Sequence, residues 1–372
     1  MIPNFIPVNE PDLSGNEKKY LQECIDSGWI SSEGPFVEKF EFGMAHLCKR
    51  KHAFAVCNGT AALELAVKAL GIGTNDEVII PTFTIISCAL SVIRAGATPV
   101  YVDADPATWN MRVEEIEALI TEKTKAIMAV HIYGLTVDMD PLLEIARKYN
   151  LKVIEDAAEV IGQTYKDIPC GSFGDISTFS FYPNKHITTG EGGMLLTNSD
   201  ELAIRCMSLR NLSFGKKDRF IHEHLGWNFR MSNLQAAVGV AQMERLPKTV
   251  LRKKEIGAIY SENLRFCKSL QLPLACNNHC ENIYWVFGIT SKKNGRTAKW
   301  WIDALKNEGI GTRPFFYPMH SQPALAQFCE PGIKHPNSKH LSEYGFYLPS
   351  GITLTNDEIH QICRTIIRLE KK

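Results

Sequence analysis

Along the first part of the chain, short runs rich in β-branched and other apolar residues alternate with stretches in which apolar positions recur at helical spacing. The runs are AFAV (53–56), EVII (77–80), PVYV (99–102), KAIMAV (125–130), KVIE (152–155), ISTFSF (176–181) and GMLL (193–196). Between the first two, Leu63, Ala66, Val67 and Leu70 share one helical face, and Leu142, Ile145 and Ala146 begin a similar stripe before the fifth. Short apolar runs joined by crossover helices predict an α/β fold on a mostly parallel sheet covered on both faces. After about residue 245 the pattern changes to a charged helical segment, LRKKEIGAIYSENL, then a Cys/Asn-rich stretch and further short strand and helix signals. The expected organisation is a large domain over 1–245, with an N-terminal arm, and a smaller α/β domain over 246–372.

Composition narrows the class of partner. The chain has 372 residues, 45% of them hydrophobic, enough to bury a large core. Its 41 basic and 41 acidic side chains cancel, which gives no global field to gather nucleic acid or an anionic membrane and points to a small-molecule partner. Eleven cysteines, an odd number in a chain too large to need disulfide staples, suit reduced thiols in a cytoplasmic setting. The N-terminus lacks the basic start and apolar run of a signal peptide, and the most apolar stretch, 77–102, is broken by Pro81, Arg94 and Gly96.

The candidate chemistry lies in VIEDAAEVIGQTY and GSFGDISTFSFYPNKHITTGEGGMLLTN. Asp156 directly follows a strand, where the carboxyl ends of an open sheet face a ligand crevice; alone, it could equally cap the next helix. Lys185 follows the strand ISTFSF and precedes a glycine-rich turn; alone, it reads as a solvated lysine. Together they match what an aldehyde cofactor needs: an amine to carry it and a carboxylate to keep its pyridine nitrogen protonated. Asn58, Gly59 and Thr60 sit where the first run turns into a helix, a place where free N–H groups and the helix dipole favour a phosphate, although a plain N-cap turn would look the same.

These segments resemble the DegT/DnrJ/EryC1/StrS sugar aminotransferases, which are fold-type I pyridoxal 5′-phosphate (PLP) enzymes. The resemblance spans essentially the whole chain and includes SGWISS, CNGTAAL, HIYG, GWNFRMSNLQAAVG and RPFFYPMH. It implies that Lys185 is the Schiff-base lysine, Asp156 the partner of the pyridine nitrogen and Ser180 a phosphate-binding hydroxyl. It also implies that Glu159 lies near the cofactor's phenolic oxygen, that Gly59 and Thr60 grip the phosphate, and that Asn228 reaches it from the second subunit of a homodimer. Arg230, Arg313, Tyr317 and His320 resemble positions lining the sugar or nucleotide pocket. The implied reaction moves an amino group from L-glutamate to a keto sugar. The nearest-looking members aminate a GDP-linked 4-keto-6-deoxy sugar for surface polysaccharides, while others use UDP-linked sugars or an oxidised eight-carbon ulosonate.

One position departs from the family pattern: Ile85 stands where many members carry an aromatic ring stacked on the pyridine. Two other functions stay open. A PLP-dependent sugar 3-dehydratase shares much of this motif but carries histidine in place of Lys185, and a non-catalytic regulator could keep the fold as a sensor. Remaining clusters read as structural. Cys276, His279 and Cys280 lack a second ligand pair at zinc-finger spacing, so no metal is expected. His222 and His224 suit the surface or a pocket rim, His131 a structural role, and Arg252, Lys253 and Lys254 a solvated helix face.

Overall fold

The computed structural model describes residues 5–371 apart from 216–217, 293–294 and 330–331; residues 1–4 of the expected arm and residue 372 lie outside the described residues. All seven apolar runs are strands. They are β1 (His52–Val56), β2 (Glu77–Pro81), β3 (Thr98–Val102), β4 (Thr124–Val130), β5 (Lys152–Asp156), β8 (Ile176–Ser180) and β9 (Gly193–Thr197); a short ribbon, β6 (Thr164–Tyr165) with β7 (Ile168–Pro169), lies between β5 and β8 in the chain. The sheet order is β1-β9-β8-β5-β4-β2-β3. Only the two pairings made by β9 are antiparallel.

Both faces of this sheet are covered, which is why its strands read as continuous apolar runs. Helices α1 (Glu17–Ser27) and α2 (Pro35–Leu47) precede it, and α3 (Gly59–Ala69), α4 (Ile86–Arg94), α5 (Met139–Lys148), α6 (Asp200–Arg210) and α7 (Asn233–Glu244) follow in and after the crossovers. Val78 and Ile80 of β2 pack with Leu63 and Val67 of α3 and Val92 of α4, whereas Ile79 between them faces Leu142 and Ala146 of α5. At the other end, Ala53, Ala55, Met194 and Leu196 meet Phe36, Phe40 and Met44 of α2. The architecture is the expected α/β one, a mostly parallel sheet between helical layers.

The C-terminal part begins with α8 (Leu246–Leu264) and has its own antiparallel sheet of β10 (Leu270–Gln271), β11 (Phe287–Ser291), β12 (Arg313–Pro314) and β13 (Gly345–Leu348), in the order β10-β11-β13-β12. Helices α9 (Ala298–Asn307), α10 (Pro336–Tyr344) and α11 (Asn356–Glu370) complete it. Its core joins Ile256, Tyr260 and Leu264 of α8 to Phe287, Ile289, Trp301, Phe346 and Ile362, and Ile6 from the N-terminal segment joins them, bridged to Ile310. The basic run 252–254 corrects an expectation. Arg252 and Lys254 are partly exposed, but Lys253 is buried, because it shares the inner face of α8 with Ile256 and Tyr260. Among the described residues no helix is long and apolar enough to cross a membrane.

Candidate active site

The carboxyl ends of β4, β5 and β8 open into one cavity of about 540 Å³, within the range of small-molecule sites. Asp156, the last residue of β5, is 4% exposed and accepts from Ala158 N at 3.1 Å and from Cys88 Sγ at 3.6 Å. The turn after β5 brings a second carboxylate into the same space: Glu159 Oε2 accepts from Tyr133 N at 2.9 Å, and Oε1 faces Lys185 Nζ at 3.6 Å. Tyr133 holds a left-handed φ of 55°, a costly conformation for a bulky residue, and so turns its N–H toward Glu159.

Burial sets the charge states here. It pushes the Asp156 carboxyl up, opposed by the Ala158 N–H and the charge of Lys185. It pushes Glu159 up to about 7, again opposed by Lys185. The same burial pushes the Lys185 amine below its ordinary range, toward the neutral, nucleophilic form, with Glu159 and Asp156 pulling the other way. The Lys185 side chain is 9% exposed, and its amine sits 3.6 Å from the centroid of the Trp285 ring. That indole is fixed in turn by Nε1 donating to Asn184 O at 2.8 Å.

The start of α3 lines the same cavity as the amine. Asn58 caps it, its side chain accepting from Ala61 N at 2.8 Å. Gly59 and Thr60 occupy the first turn, where N–H groups have no acceptor within the helix, and both line the cavity. Thr60 Oγ1 and Ser87 Oγ are 2.8 Å apart on the wall. The cradle is too tight for side chains: a Cβ on Gly59 would lie 2.7 Å from Ser180 Cβ, and one on Gly193 2.4 Å from Asn58 O. Two buried polar atoms on the wall, Thr178 Oγ1 and Asn184 Oδ1, have no partner among the described residues. A helix N-terminus with free N–H groups, an amine, two carboxylates and unpaired polar groups fit the donor and acceptor set of PLP.

The structure thus brings Gly59, Thr60, Asp156, Glu159, Ser180 and Lys185 together, with Ile85, 45% exposed, on the same wall. Asn228, Arg230, Arg313, Tyr317 and His320 do not line this cavity. Asn228 is exposed in an isolated bridge to Asn211, whose side chain also takes a hydrogen bond from Arg230. Arg313 pairs in register with Tyr347, which does line the cavity. Tyr317 is 53% exposed. His320 Nδ1 is 2.7 Å from Thr82 Oγ1, and burial pushes this imidazole down to about 4. Sequence reasoning missed Ser87, Cys88, Trp285 and Tyr347. Ser87 and Cys88 follow two and three residues after Ile85, but Trp285 and Tyr347 arrive from the C-terminal part and carry no local signal.

The other clusters have structural partners. His131 Nδ1 accepts from Val137 N at 3.0 Å, so its Nε2 carries the proton shared with Glu155 at 3.2 Å; this buried pair, with Cys170 beside it, is joined by hydrogen bonds from Gly171 and Phe173 to Glu155. His279 stacks on Tyr165 and faces Asp138, Cys280 pairs with Thr136, and Cys276 is exposed. His222 and His224 are exposed.

A buried amine in the loop after β8, a carboxylate at the end of β5 and the N-terminus of α3, all lining one cavity, define a transferase of the aminotransferase class. The chain belongs to the DegT/DnrJ/EryC1/StrS aminotransferase family, whose model matches residues 11–367. It is 43% identical over 362 residues to a GDP-perosamine synthase of Escherichia coli O157:H7, a match covering 97% of this chain and 98% of that protein. Among solved structures, an aminotransferase from Psychrobacter cryohalolentis superposes with a TM-score of 0.92 at 30% identity, covering 98% of both chains. The PLP form of a putative sugar aminotransferase, Spr1654 from Streptococcus pneumoniae, gives 0.92 at 25% identity, covering 99% of both.

Proposed function

We propose that the protein is a PLP-dependent aminotransferase that moves an amino group from L-glutamate to a nucleotide-linked 4-keto-6-deoxy sugar, in the manner of the GDP-perosamine synthases. The observation that carries this reading is the meeting of Lys185, Asp156 and Glu159 with the Gly59–Thr60 nest in one cavity. PLP, when bound, supplies an aldehyde for an amine and a ring that draws electrons from the carbon beside it. The Lys185 amine would hold the cofactor and, when free, would move a proton on and off the donor's α-carbon. Asp156 would hold a proton on the ring nitrogen, and Glu159 would face the phenolic oxygen. Gly59, Thr60 and Ser180 hold the phosphate.

A homodimer completes the site in this reading. Asn228 is exposed, and the neighbouring Ile221 and Leu225 are apolar side chains 64% and 90% exposed, as suits a segment that a second copy covers. Arg230, Arg313, Tyr317 and His320 then belong to the sugar and nucleotide side. A cytoplasmic setting is supported by eleven free cysteines.

The test is spectroscopic and then chemical. Purified protein mixed with PLP develops a visible band that Lys185→Ala lacks; L-glutamate bleaches it, and a GDP-linked 4-keto-6-deoxy sugar restores it and leaves aminated. A wild type that takes up no PLP overturns the proposal. Loss of a sugar hydroxyl without gain of nitrogen assigns the dehydratase chemistry instead, and cofactor bound without turnover of any keto sugar assigns a sensor.

A further inference from the structure

Lys253 is a buried amine with no carboxylate among its hydrogen-bond partners in the described residues. Its Nζ donates to Trp285 O at 2.9 Å and to Ser350 O at 2.6 Å. Around these two carbonyls the chain is stitched further: Ser350 Oγ accepts from Phe287 N at 2.9 Å, and Tyr260 OH, two turns along α8, donates to Pro349 O at 2.9 Å. α8 therefore grips the entry to β11 and the exit from β13 at the same level. Trp285 is held at both ends, its carbonyl by Lys253 and its indole nitrogen by the carbonyl of Asn184, the residue before Lys185. Between those two points the indole face meets the Lys185 amine at 3.6 Å.

Core stability does not explain an ammonium in this place. Burying one without an opposite charge is costly, and burial pushes Lys253 down to about 7. An apolar side chain would fill the inner face of α8 beside Ile256 and Tyr260 without that cost. What it could not do is donate to two carbonyls from separate segments at once.

We propose that Lys253 is a positioning residue of the amine site: by tying the carbonyls of Trp285 and Ser350 together, it fixes the indole face against Lys185. The inference rests on reading Lys185 as the amine that captures PLP, and the experiment separates the two claims. Cofactor-free wild type, K185A, K253M, K253Q, W285F, K253M/W285F and K253Q/W285F are mixed with PLP, and capture is followed by visible absorbance and visible circular dichroism, with thermal melts run alongside.

The expected result is a capture rate about tenfold lower in K253M, with an altered dichroic band, because a misplaced indole leaves the amine poorly oriented. K253Q, a shorter and neutral donor, falls between. W285F is slowed as well, and K253M/W285F is no slower than the slower single variant, since both changes act through one ring. Capture by folded K253M at the wild-type rate overturns the proposal, and so do K253M and W285F effects that multiply. Should K253M not fold, the same cycle run with K253Q decides in the same way. A wild type that forms no visible band, or K185A that keeps one, instead overturns the assignment of Lys185.

Discussion

Lys185 Nζ and Glu159 Oε1 face each other at 3.6 Å inside a cavity whose burial drives both groups toward their neutral forms. For Glu159 the consequence is a pH-dependent stability of known sign. Its carboxyl rises from 4.5 to about 7 on folding, so the folded chain holds this proton at pH values where the unfolded chain has lost it. The stabilisation is whole below pH 4.5 and is lost as pH rises through about 7. In cofactor-free protein, the melting temperature of wild type should therefore fall relative to that of Glu159→Gln across this window. Parallel curves would show that Glu159 titrates normally.

Gly193 and Gly190 give a paired prediction about the phosphate nest. A Cβ at Gly193 would meet Asn58 O at 2.4 Å and Gly59 N at 2.8 Å, both backbone atoms that cannot swing aside. Gly193→Ala should cost about 1–3 kcal/mol by urea denaturation and weaken PLP binding, since the start of α3 must shift. Gly190 has a φ of 80° but nothing within 4 Å of its Cβ position. Gly190→Ala should then cost only about 1–2 kcal/mol of backbone strain and spare the cofactor. Equal losses of PLP affinity in the two variants would contradict the crowding argument.

The contrast between what the sequence reveals and what it hides follows the same geometry. Strands β2, β4 and β5 are legible because two covered faces leave apolar runs, and Asp156 is legible because it follows such a run, whereas Ser180 is read from the family motif. The strands β10 and β12 have two residues each and offer no period to read. Lys253 is hidden for another reason. It stands in a basic run, and only the packing of α8 against β11 and β13 decides which of three cations turns inward. Trp285 is likewise invisible, since it reaches Lys185 across about 100 residues of chain through folding alone. Asn228 and Arg230 lie off the cavity of one chain, so their recognition rests on the family motif alone.

Ile85 offers a test by gain. It caps the start of α4 and presents an aliphatic face, 45% exposed, to the cavity. An aromatic ring there would stack on a planar ligand, a term worth about 0.5–1.5 kcal/mol beyond area burial. Ile85→Tyr should tighten PLP binding by roughly two- to tenfold in an absorbance titration, with no change in the requirement for Lys185. Unchanged or weaker binding in a folded variant would mean that the ring does not lie over this side chain.

Cys88 is the remaining hand on the carboxylate. Its thiol is fully buried, lies 3.6 Å from Asp156 Oδ2, and is itself 3.4 Å from Thr84 Oγ1, while Ala158 N occupies the other oxygen. A thiol is a weak donor, so its contribution to holding Asp156 is about 1 kcal/mol, near the neutral hydrogen-bond range. Cys88→Ala should weaken PLP binding about fivefold, whereas Cys88→Ser, which keeps a donor in the same place, should stay within twofold of wild type. The readout that separates positioning from packing is the visible spectrum. If Cys88 orients Asp156, the alanine variant should shift the pH at which the band changes and the serine variant should not. Equal spectra in the two variants, with equal losses of affinity, would reduce Cys88 to a space-filling role and leave Asp156 anchored by the Ala158 N–H alone.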